Sequence, residues 1–337
     1  MRTRAIKPIF ILVVSIAVLL LAGCTKTSGN AVTSVGASTQ QDSPPLTVNI
    51  AINGKLSPLN IAKDKGWVED EFKKLNAEVR WSEFPSGPPL LESLSAGRVD
   101  LSFLGDGATI AGIASGLPFE VIALLSEGRN TVSIIVPKDS SIEKVEDLKG
   151  KTIGLPKGTT AHVYVAKVLQ NTNITLDDLN IINLQPDDGQ AAFDSGKLDA
   201  WAAWDPYVSQ NIATNKARAL PASEVMAPSS AIVHKDFAKK HPELVVAYLR
   251  VFKKAALWQL EHEEEAAQIF NAKTKVPVAT IKTILSKGKP LVSAYTEEAL
   301  REQQAASDIL AGNGFIRREI DFKESVNDRF ILEALKE

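Results

Sequence analysis

From Leu46 onward, short apolar runs alternate with amphipathic stretches, a rhythm that predicts strands covered by helices. LTVNIAI (46–52) reads as a first strand, and AEVRWSEF (77–84) as a second because apolar and polar positions alternate along it. Between them WVEDEFKKLN (67–76) carries its acids early and its lysines late, as a helix dipole prefers. In the stretch from Pro85 to Pro118, Pro88 and Pro89 suit a helix's first turn, Leu90, Leu91 and Leu94 mark its buried face, and Gly97 suits the left-handed position after it. A strand over 99–104 then ends at Gly105-Asp106, where Asp106 is placed to cap the next helix. FEVIALLSE (119–127) and TVSIIVPK (131–138) supply two further strands.

The same device recurs. KTIGLPKGTTAHVYVAKVLQ (151–170) reads as strand, turn and helix, and residues 181–210 as strand, helix, strand and capped helix. Gly97-Arg98-Val99-Asp100 matches Gly196-Lys197-Leu198-Asp199, and Asp106 matches Asp205 at the same offset. Two α/β lobes built on one unit are therefore expected. After about residue 228 the pattern turns helical. Leu244, Tyr248, Val251, Phe252, Ala255 and Leu257 form a helix-period stripe, with no strand rhythm until the end. Such a cap cannot fold alone, so the chain is expected to cross to a second lobe and return. That assigns 46–134 to lobe 1, 135–226 to lobe 2 and 227–337 to lobe 1 again.

The N-terminus changes the picture of location. A basic start (MRTRAIK) and an apolar run from Ile9 to Ala22, too short for an ordinary span, read as a signal peptide over 1–23. Leu21-Ala22-Gly23-Cys24 resembles the bacterial lipoprotein box, which implies cleavage before Cys24, diacylglycerol on its thiol and a membrane-anchored lipoprotein facing the periplasm or outer cell surface. Cys24 is the only cysteine of the 337 residues, so the body holds no disulfide and no thiol chemistry. Residues 24–45, rich in Ser, Thr, Gly and Gln, read as a flexible tether. Formal net charge is −2, and removing the basic leader leaves the rest more acidic, which argues against a nucleic-acid partner.

Candidate enzyme chemistry is thin. The four histidines, His162, His234, His241 and His262, show no metal-ligand spacing, and no GxSxG, Walker or GxGxxG pattern occurs. His241 and His262 are expected on solvated faces, His162 in a structural role, and Asp187-Asp188 as helix caps. Neither cofactor nor metal is expected, and an enzyme on this scaffold is the remote alternative. Binding chemistry is better supported. Three turns, Ser86-Gly87-Pro88, Gly105-Asp106-Gly107 and Lys157-Gly158-Thr159-Thr160, fall where a strand ends and a helix begins. Each offers backbone N–H groups at a helix's positive end, with hydroxyls at Ser86, Thr159 and Thr160, a setting for an oxyanion that needs no excess of arginine. Trp204 closes a strand next to Asp205 and would wall a crevice at strand C-termini, whereas Trp201, three residues earlier, would face the core.

The segments EFPSGPPLLESLSAGRVDLSFLGD, DLKGKTIGLPKGTTAH and DDGQAAFDSGKLDAWAAWDPY resemble the aliphatic-sulfonate-binding proteins of ABC importers, within the nitrate/sulfonate/taurine/bicarbonate group of solute-binding proteins. The resemblance spans roughly residues 46–330. It implies the type 2 periplasmic-binding-protein fold, two α/β lobes joined by two crossing segments with a ligand cleft between them. It also implies contacts at Asn53, Gly54, Ser86, Gly87, Gly105, Asp106, Glu127, Thr159, Thr160 and Trp204. The expected role is a monomeric receptor that captures a small organic anion, an aliphatic sulfonate first of all, and delivers it to a permease driven by an ATPase subunit. Taurine, nitrate, bicarbonate or a thiamin-pyrimidine precursor are the alternative ligands.

Overall fold

The structure, a computed structural model, describes residues 44–336. The leader, Cys24 and nearly all of the tether lie outside the described residues. The chain opens with β1 (Leu46–Asn53), α1 (Pro58–Asp64), α2 (Trp67–Lys73), β2 (Ala77–Phe84), α3 (Gly87–Ser95), β3 (Leu101–Gly105), α4 (Asp106–Ala114) and β4 (Phe119–Ser126). It continues through β5 (Val132–Pro137), β6 (Thr152–Leu155), α5 (Thr160–Leu169), β7 (Asn180–Asn183), α6 (Pro186–Asp194), β8 (Ala200–Trp204), α7 (Tyr207–Ala213) and β9 (Ala217–Ala219). The last third holds β10 (Ser229–His234), α8 (Lys235–Lys240), α9 (Pro242–Glu261), α10 (Glu263–Thr274), α11 (Val278–Lys287), α12 (Glu297–Gly312) and α13 (Arg329–Ala334). Among the described residues no helix is long and apolar enough to cross a membrane.

Two five-stranded sheets organise these elements, in the orders β2-β1-β3-β10-β4 and β7-β6-β8-β5-β9. β1 runs parallel to β2 and β3, and β6 parallel to β7 and β8. The fourth position of each sheet is antiparallel: β10 pairs with β3 and β4, and β5 pairs with β8 and β9. The two sheets thus share one topology, and each antiparallel strand adjoins a stretch where the chain passes between them.

The repeat read in the sequence is physical. Gly97 (φ +67°) and Gly196 (φ +70°) take the left-handed conformation after α3 and α6. Three residues later Asp100 and Asp199 do the same work: their carboxylates accept from the backbone N–H of Asn49 and of Thr152, each at 2.8 Å. This pins the start of β3 beside β1 and of β8 beside β6. One detail differs from expectation. Asp106 is the first residue of α4 rather than its cap, which is Gly105.

The return segment contains a strand that the helical pattern hides. In β10, Ser230, Ala231, Ile232 and Val233 are all buried, so apolar and polar residues do not alternate along it. α9 then lays Tyr248 and Phe252 against Val48 and Ile50 of β1 in one core cluster. Burying each such side chain is worth about 1.5–3 kcal/mol, enough to hold the helix on the first sheet.

Candidate functional site

The parallel strands of both sheets end toward one cavity of about 280 Å³. Asn53 and Gly54 follow from β1, Ser86 and Gly87 from β2, Gly105 from β3, Thr159 and Thr160 from the turn after β6, and Trp204 from β8; all eight line it. Of the residues expected from sequence, only Asp106 and Glu127 do not. Asp106 is wholly buried, and its Oδ1 accepts the Gly107 N–H at 2.7 Å. Burial pushes its carboxyl above the usual range, opposed by the Thr160 hydroxyl beside it and the Lys167 charge. Glu127 points elsewhere: its carboxylate pairs with Arg129 at 3.0 Å, and Arg129 also reaches Glu298 at 2.6 Å.

Local backbone shape directs donors into the cavity. Ser86 and Thr159 precede α3 and α5 in extended conformations, and neither uses its side chain to cap its helix. Pro88 and Pro89 bring no N–H to the first turn of α3, so the Gly87 N–H and the first-turn N–H groups of α5, with the positive ends of both helix dipoles, are left to whatever enters. The Ser86 hydroxyl instead donates to Gln185 Oε1 at 2.7 Å, so the residues that precede α3 and α6 meet across the gap between the sheets. The halves also meet where α4 approaches α5. A Cβ on Gly105 would stand 2.2 Å from Thr160 Oγ1, and one on Gly107 would stand 2.5 Å from the Thr159 carbonyl oxygen. Only glycine permits that approach.

The opposite chemistry comes from residues that the sequence did not mark as facing a ligand. Phe103 and Phe252 meet edge to face, centroids 6.0 Å apart, and with Leu125 and Phe270 give the cavity an apolar wall. They come from β3, β4, α9 and α10, and no local motif links them. Trp204 adds its ring to this wall, while Trp201 is fully buried against Phe193 and Tyr207. Two lysines, Lys287 and Lys289, also line the cavity, so cationic side chains join the amide donors. Asp187 is the second residue of α6 rather than its cap, which is Gln185, and its Oδ1 accepts from the Tyr207 hydroxyl at 2.6 Å and from Lys55 Nζ at 3.0 Å. The Tyr207 hydrogen bond holds the Asp187 carboxyl below its usual range, and burial, with Asp187, pushes the Tyr207 phenol up to about 12.

The histidines stand apart from the cavity. His262 is half-buried and stacks flat on Trp258, centroids 4.8 Å apart. His162 is buried, its Nδ1 accepts the Gly158 N–H at 3.3 Å, and its ring meets Phe315 edge-on at 4.7 Å. Desolvation, with Lys157 nearby, lowers its pKa to about 4. A histidine held neutral in the fold but protonated more easily in the unfolded chain costs stability as pH falls through 6.5 toward 4. The His162→Gln protein, which cannot take that proton and keeps an acceptor for Gly158, should lose less melting temperature than the parent between pH 6.5 and 4.5. Equal acid sensitivity in thermal unfolding would assign the loss to other groups. Among the described residues no group of three or more His, Cys, Asp or Glu side chains is placed to hold a metal ion.

The family model described as NMT1/THI5 like matches residues 53–266 of this chain. A Bacillus subtilis (strain 168) protein named as a candidate aliphatic sulfonates-binding protein is 36% identical over 293 residues, covering 86% of this chain and 88% of its own length. An Escherichia coli (strain K12) protein of the same description is 27% identical over 313 residues, covering 91% of this chain and 95% of its own. Among solved structures, the alkanesulfonate-binding protein of Xanthomonas axonopodis pv. citri bound to MOPS matches with a TM-score of 0.79 at 25% identity, covering 85% of this chain and 99% of that one.

Proposed function

Since the chain belongs to the NMT1/THI5-like family, we propose that it is the solute-binding receptor of an ABC importer and that its 280 Å³ cavity takes a small organic sulfonate. The observation that carries this reading is the pairing of uncapped starts of α3 and α5, with Ser86 and Thr160, against an apolar wall of Phe103, Leu125, Phe252 and Phe270 in one cavity. A sulfonate presents three acceptor oxygens to the first set and a short carbon tail to the second. The relatives named for aliphatic sulfonates support it. They are binding proteins, and we take this chain likewise to capture and release its ligand unchanged.

In this reading each sheet with its helices is a lobe, and the chain crosses between lobes near 127–131 and 220–228, so that the expected boundary at 134/135 falls inside β5 rather than in a crossing. Ligand draws the lobes together because the closed form reaches it from both sides and the open form from one. Hydrogen bonds to a charged group are worth roughly 1.5–3 kcal/mol each, so four to six of them offset the cost of closure. The receptor acts as a monomer, with Asn53, Gly54, Gly87 and Gly105 as further contacts. Lipid on Cys24 holds it at the outer face of a membrane, where it hands ligand to a permease and its ATPase.

A thermal-shift screen over alkanesulfonates, taurine, nitrate, bicarbonate, sulfate and a thiamin-pyrimidine tests the reading. An alkanesulfonate at a hundred times its dissociation constant should stabilise the fold by about 2.7 kcal/mol. Stabilisation by nitrate or the pyrimidine alone would refute the sulfonate assignment. By calorimetry, Ser86→Ala combined with Thr160→Val should weaken sulfonate binding at least tenfold; unchanged affinity would remove those hydroxyls from the site.

A further inference from the structure

Lys287 is the last residue of α11, where a cation already suits the helix's negative end. Its ammonium nevertheless reaches across to the start of α7, 2.9 Å from Asp205 Oδ2 and 2.7 Å from Ser209 Oγ. The Asp205 side chain is only 8% exposed, and its other oxygen accepts the Ser209 N–H at 2.8 Å. Both carboxylate oxygens are thus occupied, and Asp205 and Lys287 line the same cavity as the anion-facing turns.

An unpaired carboxylate in that wall would repel a sulfonate and attract an ammonium. Lys287 reverses both effects, because it cancels the charge of Asp205 and fills the place that a ligand's own ammonium would take. We propose that Lys287, held by Asp205 and Ser209, sets the tail chemistry of the ligand: it selects alkyl-tailed sulfonates and excludes those ending in an ammonium. The inference rests on the sulfonate reading and adds a specificity determinant to it. It assigns Asp205 a masked carboxylate whose exposure would convert the site to aminosulfonates.

Propanesulfonate and taurine form a matched pair, with a methyl group in one where the other carries an ammonium. Calorimetric titration of both into the full chain, Lys287→Met, and Lys287→Met with Asp205→Asn tests the assignment. The parent should prefer propanesulfonate at least tenfold. Lys287→Met, which keeps the side chain's length without its charge, should gain at least tenfold in taurine affinity. The double variant should lose that gain, because the carboxylate that would hold the ammonium is gone. A preference unchanged in Lys287→Met, or a parallel loss for both ligands, overturns the proposal; the parallel loss would mean that Lys287 grips the sulfonate itself. A parent that binds neither compound nor any other sulfonate overturns the sulfonate reading along with it. Cooperative thermal unfolding of each variant shows that the comparison is between folded proteins.

Discussion

Gly107→Val should leave the fold intact and weaken ligand capture by one to two orders of magnitude. The residue lies at the second position of α4, and a side chain there would stand 2.5 Å from the Thr159 oxygen and 2.6 Å from its carbonyl carbon. Backbone atoms at a helix start cannot rotate aside as a side-chain tip can. The clash is therefore relieved by moving α4 away from α5, which separates the elements that line the cavity from the two sheets. Overpacking typically costs about 1–3 kcal/mol, equivalent to roughly 5- to 150-fold in affinity. Because the cost falls on the closed form, the melting temperature without ligand should change little while the ligand-induced rise shrinks. Gly87→Val supplies the contrast. Its Cβ would meet Ala108 at 2.2 Å within the first sheet's own helices, so it should lower the ligand-free melting temperature. Full affinity in Gly107→Val would mean that contact between α4 and α5 is no part of the ligand-bound state.

What could be read in the chain and what could not follow the range of the interactions. Helix ends announce themselves locally through Gly97 and Gly196 in left-handed positions, and strand-to-helix turns through Pro88 and Pro89 in a first turn and hydroxyls at Ser86 and Thr160. Those turns did converge on one cavity. The paired units around Asp100 and Asp199 were legible because one hydrogen-bonding device was used twice. β10 was not, since a strand buried on both faces lacks the alternation that marks β2. Nor was the apolar wall: Phe103, Phe252 and Phe270 each look like core residues in their own segment, and only the tertiary fold brings them together. Lys287 illustrates the same limit. In sequence it is one basic residue at a helix end, and its pairing with a residue 82 positions earlier leaves no local trace. Glu127 failed in the other direction, because Arg129, two residues on, takes its carboxylate.

Trp201→Ala should cost about 3–5 kcal/mol, the largest stability loss expected from a single side chain here. The indole, on the second residue of β8, is wholly buried, 6.0 Å from the Phe193 ring and 5.5 Å from that of Tyr207. Gly189 of α6 lies so close that a Cβ there would stand 2.7 Å from the indole nitrogen, so the wall behind Trp201 is already drawn in and has little slack to fill the hole. At roughly 2–4 °C per kcal/mol the melting temperature should fall by about 6–20 °C. Trp201→Phe should cost much less. The indole N–H has no hydrogen-bond partner, so phenylalanine gives up packing volume without orphaning a polar group. The effect also reaches a polar contact that joins the segment after β1 to α6. Tyr207 loses the ring it leans on, and its hydroxyl is what holds Asp187 beside Lys55. Trp204→Ala, three residues on and half-buried in the cavity wall, should do the reverse, weakening ligand binding more than it lowers the melting temperature. If Trp201→Ala instead melted with the parent and lost only affinity, the two tryptophans would have exchanged the roles that strand alternation gives them.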